Sequence, residues 1–228
     1  MVRHGRSTAN TSGVLAGRTP GVELDERGRE QAVAVAERLA RIKLAAIVSS
    51  PLERCTQTVA QLSAANSVGV QLEERLAECD YGEWTGMPIK KLMREKAWRA
   101  VQVHPSSVAF PGGESMPQMA ARAVAAIRDW DRRLAAEHGP NAVWVACSHG
   151  DLIKSVVADA LGAHFDLFQR IVIDPGSITA IRFTELRPFV LKVNDTGGDT
   201  AAYRPARRGR RAATDAVVGG GAGPATRD

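Results

Sequence analysis

Short apolar runs that end in a polar turn and lead straight into a helical pattern recur along this chain, and that alternation limits its fold more than any other feature. "AAIVSS" is stopped by Ser49-Ser50-Pro51 and followed by "PLERCTQTVAQLSAA", a helix with Pro51 at its first position and Ser50 as its cap. "AVWVACSHG" is a run of strand length, and "DLIKSVVADALG" behind it has helical spacing. "LDERGREQAVAVAERLARI" reads as an amphipathic helix capped by Asp25, with Ala32, Val35, Ala36, Leu39 and Ile42 on one face. "VQL" suits an edge strand, and an irregular stretch to about residue 88 leads to a short helix near 89–99. After the turn "FPGGES", the long pattern "QMAARAVAAIRDWDRRLAAEHG" is closed by Gly139-Pro140. "SITAIRF" and "FVLKV" alternate well enough to pair as the last two strands. Strand and helix in alternation predict an α/β fold, a three-layer sandwich with a mostly parallel central sheet and helices on both faces.

The 228 residues suffice for one ordinary domain with an apolar core and no staples. Cys55, Cys79 and Cys147 are odd in number and widely spaced, which fits neither a disulfide framework nor a zinc site and points to a reducing cytoplasm. The N-terminus lacks the apolar run of a signal peptide, and no stretch reaches the length of a membrane span, so a soluble protein is expected. The net charge of +5 suggests nucleic acid until it is located. Arg204, Arg207, Arg208, Arg210, Arg211 and Arg227 against Asp215 and Asp228 hold +4 of it, leaving the rest near neutral. The expected division is therefore a domain over residues 1–200 and a disordered, basic Gly/Ala/Arg-rich tail over 201–228. The "RRGRR" run has no aromatics interleaved for stacking, so a solvated tail is favoured over a nucleic-acid arm.

In an open α/β sheet, ligands sit beyond the carboxyl ends of the strands. Arg3-His4-Gly5 would follow the first strand, Ser50 to Arg54 the second, and Ser148-His149-Gly150 the late one. Three turns thus aim two Arg and two His at one edge. Guanidinium forks match phosphate oxygens, and helices starting behind the turns add N–H groups and positive dipole ends.

"RHGRSTAN", "SPLERCTQT", "LAECDYGEWTG" and "CSHG", in that order over residues 1–193, resemble the four signature stretches of the histidine phosphatase superfamily, the phosphoglycerate mutase-like fold. The resemblance implies that His4 is the nucleophile, forming a phosphohistidine, and that Arg3, Arg54 and His149 bind the phosphoryl oxygens. It also implies that Asn10 contacts the phosphate and that Glu78 is the proton donor. The converging residues are His and Arg with a single carboxylate, Glu78, so neither metal nor cofactor is expected. The chemistry accepts these roles. A nucleophilic His must be neutral, which neighbouring Arg charges favour, and a donor Glu must begin protonated, which a nearby phosphate dianion favours. His149 balances charge on the transferring group.

Gly150, at the start of its helix, and Arg18 are added as substrate-side candidates; Arg18, like Arg6, has a solvated surface role as its alternative. Glu114 in "GGES" caps or supports at least as readily as it touches substrate. Trp84 and Trp144 suit packing better than ligand stacking. The three cysteines flank Arg54, Glu78 and His149, so oxidation would strike the site, although small buried fillers are the default for free Cys. The expected reaction is hydrolysis of a small phosphate ester. The mutases of this family commonly carry a Gly-Trp-x-Asp element and later basic insertions, where this chain has "LAGRTPGVEL" and a short 89–112 stretch. A phosphomutase and a non-catalytic phosphate-binding protein stay as alternatives, and a homodimer stays open. Finally, central parallel strands run to about five or six residues, but only Met1 and Val2 precede Arg3, so the strand is expected to continue several apolar residues upstream.

Overall fold

In the computed structural model, which describes residues 1–198 and Gly219, the apolar runs become β1 (Val2–Arg3), β2 (Ala46–Ser49), β3 (Val70–Leu72), β4 (Trp144–Ser148), β5 (Ile178–Arg182) and β6 (Phe189–Asp195). They form one sheet in the order β3-β2-β4-β1-β5-β6. The first four are mutually parallel, and β5 and β6 close the far edge antiparallel. Crossover connections of this kind need helices, which are α1 (Thr8–Ser12), α2 (Glu26–Leu39), α3 (Glu53–Asn66), α4 (Ile89–Leu92), α5 (Lys96–Val103), α6 (Met116–His138) and α7 (Gly150–Ala160).

The two faces follow from the period of two along each strand. Ile47 of β2 and Val145 and Cys147 of β4 point to one side, where Val35 and Ala36 of α2 and Cys55, Val59 and Leu62 of α3 cover them. Ala46, Val48 and Ala146 point to the other, into a core with Met119, Ile127 and Leu134 of α6 and Leu152 and Val156 of α7. The expected layers of helix, mostly parallel sheet and helix are present. Asp25 caps α2 by accepting from the Gly28 N–H at 2.8 Å. Ser115 caps α6 in a reciprocal box with Gln118.

Three expectations need correction. Ile42 does not extend the apolar face of α2: the helix ends at Leu39, with Ala40 as its cap, and Ile42 lies in the following turn, exposed. Helix α3 begins at Glu53 with Leu52 as its cap residue, not at Pro51, so Ser50 lies too early to cap it; its Oγ meets His149 Nε2 at 2.9 Å and accepts the Leu52 N–H at 3.4 Å. The single helix near 89–99 is two helices, α4 and α5. In one continuous helix Leu92 and Val101, nine residues apart, would face about 180° away from each other; breaking it lets both enter the same core. Apart from Gly219, the tail expected to be disordered lies outside the described residues. Among the described residues no helix is long and apolar enough to cross a membrane.

Candidate active site

The carboxyl ends of β1, β2 and β4 do bring the three turns together. His4 leaves β1 with its N–H donating to the Ser148 carbonyl at 3.0 Å, which ties the first turn to the last. The loop is then clamped from α3 and α2. Thr58 Oγ1 accepts the Gly5 N–H at 2.9 Å and donates to the Arg54 carbonyl at 2.6 Å. Gly28 lies so close beneath Arg6 that a Cβ would overlap the Arg6 carbonyl, so the "RG" inside the first turn of α2 is a packing requirement.

His4 is buried, and its Nδ1 lies 2.7 Å from the Gly5 carbonyl. A carbonyl can only accept, so Nδ1 carries the proton and Nε2 keeps its lone pair. Burial, then the Arg54 and Arg3 charges, hold the imidazole well below the usual His range. His149 packs beside it with ring centroids 5.2 Å apart. Its Nδ1 faces the donor-only Arg54 Nη2 at 3.3 Å, so the neutral ring accepts there and donates from Nε2 to Ser50 Oγ at 2.9 Å. Burial and the Arg54 charge depress this ring as well. Arg54 Nη2 also reaches the Gly17 carbonyl at 2.9 Å, while its buried Nη1 has no hydrogen-bond partner among the described residues. Arg3 is fully buried, donates to the Ile173 carbonyl at 2.7 Å, and has its pKa lowered by burial to about 10, which leaves it a cation at neutral pH.

Glu78 enters from the long loop ahead of α6. Its Oε1 accepts the Cys79 N–H at 2.9 Å and its Oε2 lies 3.7 Å from His149 Nδ1. Burial above all, then the nearby Asp151, raise its pKa to about 7 against the opposing pull of Arg54. Only short 3₁₀ turns, Glu74–Leu76 and Gly82–Trp84, flank Glu78, and Arg122 of α6 supplies the frame. Its guanidinium donates to the carbonyls of Arg75 and Ala77, both at 2.7 Å, and of Glu78 at 3.0 Å, and is paired with Glu114 at 2.6 Å. Arg18 adds a bond to the Glu78 carbonyl at 2.8 Å and an ion pair with Glu114.

A cavity of about 40 Å³ lies over this group, lined by the polar side chains of His4, Ser7, Asn10, Arg54, Glu78 and Tyr81 and by Val14, Leu15, Ala16, Gly17, Ile89 and Gly219. Asn10 commits Oδ1 to the backbone N–H of Ser7 at 3.0 Å, so its amide donors are what it can offer a ligand. Arg3, His149, Arg18 and Gly150 are not among the residues lining the cavity: Arg3 and His149 are fully buried, His149 beside His4 and Arg54, Arg18 bonds the Glu78 carbonyl, and Gly150 starts α7 directly after His149. Arg6 pairs with Asp25 instead of facing the cavity. Glu114 is half-buried in the Arg122 clamp, Trp84 belongs to the core, and Trp144 packs on Trp130. All three cysteines are buried, and burial pushes the Cys79 and Cys147 thiols up, away from the reactive thiolate.

Sequence reasoning missed four contributors. Ser50, assigned to a helix cap, orients His149. Arg122 sits at helical spacing among alanines, and nothing local marks it as a clamp. Asp151, directly after Ser-His-Gly, is fully buried with Lys154 at 3.2 Å. Gly219 reaches the cavity, where its carbonyl accepts from Arg3 Nη2 at 3.2 Å and its N–H donates to Asp151 Oδ2 at 2.9 Å. Among the described residues no three His, Cys, Asp or Glu side chains are grouped to hold a metal ion.

Known proteins share both the sequence and the architecture. The family model described as "Histidine phosphatase superfamily (branch 1)" matches residues 1–196. Phosphoserine phosphatase 1 of Hydrogenobacter thermophilus is 31% identical over 198 residues, covering 86% of this chain and 91% of that protein. Glucosyl-3-phosphoglycerate phosphatase of Mycolicibacterium vanbaalenii is 32% identical over 178 residues, covering 73% of this chain and 75% of that protein. The native structure of a mycobacterial glucosyl-3-phosphoglycerate phosphatase superposes with a TM-score of 0.75 at 27% identity, over 86% of this chain and 97% of that one.

Proposed function

The chain belongs to branch 1 of the histidine phosphatase superfamily, and from that premise we propose that it hydrolyses a small phosphate monoester through a phosphohistidine on His4. The observation that carries this reading is the tautomer of His4: Nδ1–H is spent on the Gly5 carbonyl, and the lone pair on Nε2 belongs to a ring walling the same cavity as Arg54 and Glu78. The Nε2 pair attacks phosphorus, the ester P–O bond breaks, and the proton of Glu78 passes to the departing alkoxide. Water then attacks the phosphohistidine, giving its proton to the Glu78 carboxylate; the P–N bond breaks, and orthophosphate leaves with His4 and protonated Glu78 restored. Arg3, Arg54 and His149 act on the phosphoryl oxygens, where positioned charge lowers the barrier most.

Hydrolysis is favoured over phosphoglycerate mutation by the make-up of the lining. A mutase has to hold a carboxylate beside the phosphate, whereas Arg54 is the only Arg or Lys among the described residues that line the cavity. The relatives named as phosphatases support the same choice. Rapid quench with labelled substrate is expected to trap a phosphoramidate, stable in alkali and lost in acid, that is absent from His4→Ala. Turnover by His4→Ala near the wild-type rate would overturn the mechanism.

A further inference from the structure

Positive charge is concentrated on the two short helices beside the cavity. Over residues 89–104, Lys90, Lys91, Arg94, Lys96 and Arg99 stand against a single acid, Glu95, whereas the chain ahead of the C-terminal basic run is close to neutral as a whole. All five cations are exposed, and none makes a hydrogen bond or ion pair among the described residues. Elsewhere cations are matched: Arg6, Arg18, Arg38, Arg75, Arg122 and Arg128 each hold a carboxylate.

The segment that carries them is fastened down. Leu92 and Val101 are buried in the main core, and Trp98 stacks on Trp84 with ring centroids 6.3 Å apart. The Ile89 N–H donates to the Gly13 carbonyl at 2.9 Å, and Pro88 bridges to Val14 of the loop that lines the cavity. Ile89 itself is both the first residue of α4 and part of the cavity lining, so the cations begin one residue outside it. Like charges held together on rigid helices repel and cost stability, and a face that serves solubility alone interleaves both signs. An anion bound there would relieve the repulsion. The cavity also supplies a reason for one: at about 40 Å³ it holds little beyond a phosphoryl group, so the alcohol part of an ester has to extend past its rim. Toward α4 that rim is the apolar Ile89, and the next side chains are the unmatched cations.

We propose that the exposed cations of α4 and α5 form a second anion subsite, and that the phosphate ester bound by this chain carries a further anionic group, a phosphate or a carboxylate, on the far side of an uncharged spacer. This rests on the phosphatase reading for the ester and extends it to the leaving group. The spacer lies along Ile89, and the distal anion meets the α4–α5 cations instead of a group inside the cavity. The same charge draws such a substrate to the mouth, an effect that salt screens.

The test is calorimetric binding of non-hydrolysable phosphonates to the full chain, in three series of matched spacer length: alkylphosphonates, α,ω-alkanebisphosphonates and ω-carboxyalkylphosphonates. At low ionic strength the best doubly anionic ligand is expected to bind about tenfold or more tightly than the alkylphosphonate of the same length, with the advantage shrinking to about twofold in roughly 0.5 M salt. Lys91→Gln/Arg94→Gln is expected to cut that advantage to about threefold or less. Arg41→Gln/Lys43→Gln removes the same charge from exposed positions in the turn ahead of β2, and is expected to leave it intact. A bisphosphonate advantage alone would identify the distal group as a phosphate, and a carboxylate advantage alone as a carboxylate. Equal affinity across the three series at every length, or an equal loss in the two double variants, would overturn the subsite. The readout needs no turnover: a persistent advantage without a trapped phosphohistidine would sink the mechanism and leave the subsite, and normal turnover without the advantage would do the reverse.

Discussion

In the proposed mechanism Glu78 supplies the proton that an alkoxide leaving group needs, and its surroundings set the pH at which that proton is present. With its pKa raised to about 7, chiefly by burial, the side chain is about 90% protonated at pH 6, about 10% at pH 8 and about 1% at pH 9. For an alkyl phosphate, kcat/KM is therefore expected to fall about tenfold per pH unit above 7. No matching loss is expected from His4 or His149 on the acid side in the usual His range, since both rings titrate well below it. The kcat limb should lie at higher pH than the kcat/KM limb, because a bound dianion makes ionisation of Glu78 harder still. An aryl ester separates this from the substrate's own ionisation near pH 6: its leaving group departs without a proton, so its alkaline limb should be shallow. Glu78→Gln should lower the alkyl rate by on the order of 10²–10⁴ while costing the aryl ester far less. A wild-type alkyl rate that is flat or rising from pH 7 to 9, or an alkaline limb that survives in Glu78→Gln, would refute the assignment of the proton to this carboxyl.

Other expectations follow from the same geometry. Arg54→Ala removes a buried donor shared between the cavity and His149, and should cost on the order of 10²–10³ in kcat/KM; an unchanged rate would remove Arg54 from the site. Arg122→Met strips the clamp from three loop carbonyls and leaves Glu114 half paired, for a loss of roughly 2–4 kcal/mol, read as a fall in Tm of about 5–12 °C. Adding Glu114→Gln should restore part of that loss, and no restoration would mean the two do not act as a pair. Ending the chain at residue 198 withdraws the Gly219 carbonyl from Arg3 and its N–H from Asp151, so inorganic phosphate should inhibit at a concentration about threefold to tenfold lower. Equal inhibition of both forms would show that this contact does not compete with phosphate.

The layers were legible because their signals are local. Each apolar run was short and ended in a turn, each helix had its own cap or its own periodicity, and the crossovers between them left few arrangements to choose from. The failures are equally physical. A hydroxyl before a helix reads as a cap, but α3 starts at Glu53, too late for Ser50, whose Oγ meets His149, 99 residues away in sequence. The break between α4 and α5 is set by a core that both must face, which no window over 89–99 contains.

The candidate site divides along the same line. Arg3, His4 and His149 stand at strand ends and Arg54 in the first turn of the helix that follows β2, so the strand and helix pattern already aims them at one edge. Glu78 differs in kind, because its loop has no periodicity and its position comes from Arg122 and Arg18 gripping backbone carbonyls around it. Those grips depend on Glu114, which pairs with both guanidinia and also accepts the Asp80 N–H at 2.9 Å. Glu114 thus helps fix where Glu78 sits without facing the cavity itself. His4, held by the sheet, and Glu78, held by a side-chain clamp, can vary separately. The clamp and the 13–22 loop that Arg18 belongs to are where substitutions would move Glu78, or reshape the cavity lining at Val14, Leu15 and Ala16, while His4 stays in place.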